Sequence, residues 1–225
     1  MFFSHSIKKI SFFFSIFSSL FTASISLHAE FPVFLLMSLS SFVMLSFLLY
    51  LFYAPPSDDS VHSLSFSSFG TFYVGILMGF IGCTFSNSLP VQNGRYFVFL
   101  LLLSTFLGDT FAYFFGHFFG KHKLAPRISP NKTWEGAFGG LLASVVSGLL
   151  VRFFFLPQIS IFLVLFFAFM LSFFCQVGDL SESFIKRGIG VKDSSNIIPG
   201  HGGLLDRIDA LLFGAPVVYF FSLIF

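Results

Sequence analysis

The strongest constraint on this chain is a series of apolar runs, nearly free of charge, each about as long as a bilayer is thick. About 20 apolar residues cross the hydrocarbon core as a helix. In lipid, every backbone N–H and C=O must be satisfied within the protein, so such runs have to be helical. Candidate spans fall at 10–28, 32–53, 70–89, 96–118, 136–156, 159–178 and 208–225. Pro32, Pro90 and Pro157 stand at span boundaries, where a residue that breaks helix interiors is tolerated. The composition agrees: 56% of residues are hydrophobic and only 10% charged, against about 25% charged in soluble domains. A water-soluble globule is excluded, because the chain has too little polar surface to cover one. The expected fold class is all-α, a polytopic membrane protein of about seven transmembrane helices. The first run also fits a signal peptide, with Lys8 and Lys9 before it and Ala29 at a weak cleavage site.

Lysine and arginine orient these spans. Lys8 and Lys9 precede the first. Lys121, Lys123, Arg127 and Lys132 share one loop, and Lys186, Arg187, Lys192 and Arg207 another. With seven spans all of these lie on one side, and only Arg95 and Arg152 on the other. The positive-inside rule makes the populated side cytoplasmic, so the active site is expected there. Cys83 and Cys175 stand alone in apolar runs and suggest neither a disulfide nor a zinc site. Residues 54–69 read as a polar connector with turn formers, and Asp58 and Asp59 as solvated charges. The chain divides into an N-terminal transmembrane region, 1–69, and a catalytic transmembrane region, 70–225.

Polar residues concentrate in two segments, Gly108–Gly136 and Gln176–Asp209. Both are expected on the same face, separated by spans that leave and return, so they can converge. Asp109 and Asp179 lie at or near membrane depth, where a carboxylate is costly unless paired, solvated or metal-bound. A helix-packing role is the alternative for Asp109. Glu182 and Ser183 can share the helical face of Asp179. Asp206 and Asp209 would project to one side of a helix, a pair suited to Mg²⁺, which keeps few protein ligands and bridges phosphates. The plainer reading is a charge pair with Arg207 at a helix start. Just before them, Pro199-Gly200-His201-Gly202-Gly203 allows close backbone approach to an anion, and Lys186, Arg187 and Lys192 add positive charge. Ser129, Lys132 and Thr133 form a second phosphate candidate, the alternative being an interfacial anchor of Trp134 and a snorkelling Lys. Residues 116–122 imitate a P-loop with the wrong glycine spacing. Asn131-Lys132-Thr133 fits a glycosylation sequon, but on the cytoplasmic face. His201 lacks a nucleophile motif beside it. His5, His28, His62, His117 and His122 receive no role.

The second segment closely resembles the signature of CDP-diacylglycerol synthases, the phosphatidate cytidylyltransferases. The matching positions are Ser183, Lys186, Arg187, Lys192, Asp193, Ser195, Pro199, His201, Gly202, Gly203, Asp206, Arg207 and Asp209. The first segment is similar too, through GDTFAY, GKHKLAP and SPNKTWEG. Upstream of about residue 70 the likeness is only compositional, and the chain is shorter at its N-terminal side than typical bacterial members. The resemblance implies that phosphatidic acid attacks the α-phosphorus of CTP and that pyrophosphate leaves. It implies Mg²⁺ on Asp179 and Asp206, with Asp209 assisting and Asp109 in reserve. Lys132, Lys186, Arg187, Lys192 and His201 would hold phosphates. Ser129, Asn131, Thr133, Ser183, Gly202, Gly203 and Arg207 would contact substrate. The implied partners are CTP, phosphatidic acid and the bilayer, without nucleic acid and with room for a homodimer. Two other readings stay open: a related CTP-using lipid enzyme such as a polyprenol kinase, and a transporter coupled through Asp109 and Asp179. The transporter lacks the expected inverted repeat.

Overall fold

A computed structural model describes residues 33–53, 57–85, 94–191, 194 and 205–224. The expected first span, 10–28, lies outside them. The chain forms two compact units, Met1–Gln92 and Asn93–Phe225.

In the first unit, α1 (Val33–Tyr53) packs on α2 (Asp58–Phe85). The helix α2 begins twelve residues before the expected span at 70, so most of the supposed connector is helical. Its start has a physical cause. Ser57 Oγ accepts a hydrogen bond from the Ser60 backbone N–H at 3.3 Å, and Asp58 and Asp59 occupy the first turn, where negative charge complements the helix dipole. Ser65 returns its hydroxyl to Val61 O at 2.9 Å. The buried side of α2 carries Ser67, Thr71, Gly75 and Gly79 at four-residue spacing, the pattern of close helix packing in membranes.

The second unit runs α3 (Gly94–Phe119), β1 (Lys123–Ala125), β2 (Ser129–Thr133), α4 (Trp134–Phe155), α5 (Ile161–Gly188) and α6 (Leu205–Ser222). The short antiparallel hairpin pairs Lys123 with Thr133 and Ala125 with Ser129, adding two strands to an otherwise helical expectation. It returns the chain so that α4 runs back along α3. These two helices meet through small residues. A Cβ at Gly136 would lie 2.6 Å from Ala112 O, and one at Gly140 3.2 Å from Gly108 O. At the α3–α5–α6 junction, Phe167 stacks on Phe221 at 4.0 Å beside fully buried Leu171, Leu212 and Ala215.

The outer surface is apolar: Phe106, Phe118, Phe153, Phe162 and Phe166 are all exposed. Four of the described helices, Asp58–Phe85, Gly94–Phe119, Trp134–Phe155 and Ile161–Gly188, are long and apolar enough to cross a bilayer. The last runs ten residues beyond the expected end at 178. Lys186 and Arg187, expected in a loop, therefore stand on its last turn.

Candidate active site

The hairpin, the start of α4 and the end of α5 gather at one end of the second unit, around a cavity of ≈ 630 Å³. That is a usual size for a small-molecule site. Asp109, Ser129, Asn131, Lys132, Thr133 and Asp179 all line it, so the two polar segments meet there. Lys132 of β2 forms an ion pair with Asp179 of α5. Thr133 does double duty: its hydroxyl accepts from the Gly136 N–H at 3.1 Å and caps α4. His122 Nδ1 lies 2.7 Å from Glu135 Oε1, tying the hairpin to α4. Arg187 Nε donates to Ile128 O at 3.3 Å, tying it to α5.

One turn beyond Asp179, outside the cavity lining, is a second cluster. Lys186 pairs with Glu182 and, at 2.7 Å, with Asp206 Oδ1. Asp206 Oδ2 accepts from the Ser194 N–H and hydroxyl, each at 3.0 Å. Glu182 is 1% exposed, so Lys186 supplies the counter-charge without which burial would be prohibitive. Asp209 is buried, accepts from the Ala210 N–H at 2.8 Å, and stands close enough to Asp179, Glu182 and Asp109 to feel their charge. The crossing that creates this proximity is tight: a Cβ at Gly178 would fall 2.7 Å from Asp209 O. Ser183 is half-buried on α5, and Arg207 exposed on α6. Lys192, His201, Gly202 and Gly203 lie outside the described residues.

Among the described residues, no three His, Cys, Asp or Glu groups gather tightly enough to hold a metal by themselves. Asp179 and Asp206 are each the kind of ligand that Mg²⁺ takes, a hard ion that uses one or two carboxylates and completes its shell with water and substrate phosphates. Each of these carboxylates is paired here with a lysine, Asp179 with Lys132 and Asp206 with Lys186.

Three residues here were not singled out from the sequence as site residues. Glu182 is a charged group one turn from Asp179, and its charge was the available signal. Gln176 is a polar residue inside an apolar run, three positions before Asp179. His117 lines the cavity and stacks on Tyr113 at 6.0 Å. It offered no signal beyond its place in an apolar stretch.

Membrane-length helices with an apolar exterior, enclosing paired lysines and carboxylates at one end, define an integral membrane protein with a charged, polar site. The chain belongs to the cytidylyltransferase family, whose model matches residues 1–225. It is similar to the phosphatidate cytidylyltransferase of Staphylococcus epidermidis, 48% identical over 146 residues, covering 65% of this chain and 54% of that protein. The Staphylococcus haemolyticus protein of the same name is 42% identical over 182 residues, covering 80% of this chain and 67% of its own length. That of Staphylococcus aureus is 46% identical over 127 residues, 56% of this chain and 49% of the relative. The chain thus spans about half to two thirds of the relatives it matches.

Proposed function

We propose that the chain is a phosphatidate cytidylyltransferase, joining CTP to phosphatidic acid and releasing pyrophosphate. The observation that carries this reading is the pairing of Lys132 with Asp179 and of Lys186 with Asp206 at one end of the bundle. Each pair sets a phosphate-binding cation beside a carboxylate able to hold a metal. Transfer of a phosphorus group needs little else, since its catalysis is largely positioning and charge neutralisation.

In this reading a lipid phosphate oxygen attacks the α-phosphorus of CTP, the bond to the β-phosphate breaks, and pyrophosphate departs with the electron pair. Lys132 and Lys186 hold phosphate oxygens, joined by Arg187, Lys192 and His201. Ser129 and Asn131 present polar groups to the cavity beside Lys132, while Thr133 fixes the start of α4. Mg²⁺ would be held by Asp179 and Asp206, with Asp209 and Asp109 close by, and would neutralise phosphate charge when bound. The chain crosses a cell membrane about seven times, with the hairpin and the α5–α6 connection in the cytoplasm, as the lysine and arginine distribution supports. Acyl chains stay in lipid while the head group reacts at the interface.

The test is incubation of the detergent-purified chain with CTP, phosphatidate and Mg²⁺. A CDP-lipid and pyrophosphate are expected in equal amounts. Transfer of the γ-phosphate, leaving CDP, would identify a lipid kinase instead.

A further inference from the structure

The cavity continues past the Lys132–Asp179 pair, and its far end is lined by a different kind of residue. Ser104 and Thr105 of α3, Ser144 of α4, and Ser172 and Gln176 of α5 reach it. None is charged, yet the four hydroxyl residues are at most 4% exposed. Thr105 donates to Leu101 O at 2.8 Å. Ser104 does not do likewise: its hydroxyl is buried and has no hydrogen-bond partner among the described residues. Leaving such a group unmet costs about 1–3 kcal/mol, so a ligand that met it would gain. Gln176 is held in one orientation, its Nε2 donating to Ala137 O at 3.1 Å and to Ser172 Oγ at 3.0 Å. Both amide hydrogens are thereby committed, which leaves the carbonyl oxygen as a fixed acceptor. Along α5, Gln176 stands roughly 4.5 Å from Asp179, and Ser172 roughly 10 Å.

We propose that this far end is the subsite for the nucleobase and that Gln176 selects cytosine. The proposal rests on the reading that the chain takes CTP. The triphosphate belongs with Lys132 and Asp179, and the floor then receives what the phosphates carry. An acyl chain there would leave the Ser104 hydroxyl unmet. A pyrimidine is flat and uncharged, with donors and acceptors along its edge. The exocyclic amine of cytosine is a donor that the Gln176 carbonyl can accept. Uracil presents an oxygen at that position, which would set two acceptors against each other. A site built on a fixed hydrogen-bonding group rejects the mismatched analogue more strongly than an apolar pocket does.

Steady-state kinetics of the full chain with CTP or UTP, and with phosphatidate, test this in the Gln176→Leu and Ser104→Ala variants. Gln176→Leu is expected to raise the KM for CTP about tenfold and to narrow the CTP-to-UTP preference by at least about tenfold. The KM for phosphatidate should not move. Ser104→Ala should raise the KM for CTP several-fold with no fall in melting temperature, because it removes a buried hydroxyl that lacks a partner among the described residues. If Gln176→Leu fails to fold, Ser104→Ala decides. An unchanged CTP-to-UTP ratio in folded Gln176→Leu overturns the proposal. So does a shift confined to the KM for phosphatidate, which would give the floor to the lipid's glycerol portion. Wild-type chain that makes no CDP-lipid would overturn the functional reading itself, and this subsite with it.

Discussion

Two aspartates at the candidate site each face a lysine. Asp179 faces Lys132, and Asp206 faces Lys186 and Ser194. An Asp→Asn change keeps nearly the same volume but removes the charge that a metal or lysine requires. Asp179→Asn and Asp206→Asn are each expected to lower turnover by roughly a hundredfold or more, since every 1.36 kcal/mol of transition-state stabilisation is about tenfold in rate. Asp58→Asn and Asp59→Asn, at the start of α2, should leave turnover near the wild-type value. Near-normal activity of both site variants at low Mg²⁺ would remove the metal from these two residues. Glu182 differs from the aspartates because it is 1% exposed and paired with Lys186. Glu182→Ala removes one of the two carboxylates that pair with Lys186 and leaves it Asp206. It should lower stability by about 1.5–3 kcal/mol, read as a fall in the melting temperature in detergent.

At the scale of elements, the site depends on how closely helices approach. Gly178 sits where α5 crosses α6, and an added methyl would meet Asp209 O at 2.7 Å and Phe213 Cβ at 2.8 Å. Neither contact can yield without moving a helix. Gly178→Ala is therefore expected to displace Asp179 from Asp209 and to reduce activity severely. Gly188→Ala, near the end of the same helix with nothing within 4 Å of an added Cβ, should be silent. Equal effects of the two substitutions would show that helix propensity, not the crossing, governs the result. The cap of α4 gives a gentler case. Thr133→Ala loses the bond to the Gly136 N–H and should cost about 1 kcal/mol, most of it restored by Thr133→Ser.

For the whole molecule, the open quantity is orientation. The hairpin and the end of α5 share one end of the second unit. The connection between α4 and α5, where Arg152 Nε donates to Ile159 O at 2.7 Å, occupies the other. Arg127 and Gln158 are exposed at these opposite ends. In a background lacking Cys83 and Cys175, Arg127→Cys should resist an impermeant thiol reagent added outside intact cells, and Gln158→Cys should react. The reverse pattern would place the site on the outer face.

The sequence by itself determined that the chain is helical and membrane-embedded, because apolar runs of bilayer length leave the backbone no other way to satisfy its hydrogen bonds. The described helices from α3 onward begin within about three residues of where those runs predict them. Signature positions such as Lys132, Asp179, Lys186 and Asp206 were legible for the same reason: charge in an apolar chain stands out. What remained hidden was partnership. The start of α2 was missed because serines and aspartates that read as a connector also cap and charge a helix N-terminus. The hairpin was missed because a five-residue strand inside a basic loop has too little pattern to announce itself. That Lys132 meets Asp179, that Glu182 shares Lys186 with Asp206, and that Gln176 and Ser104 line one cavity were decided only by tertiary structure. Those contacts join residues far apart in the chain, as with Lys132 and Asp179. They exist because small residues at 108, 112, 136, 140 and 178 let α3, α4, α5 and α6 approach closely, and spacing along a single chain carries no record of which helices will meet.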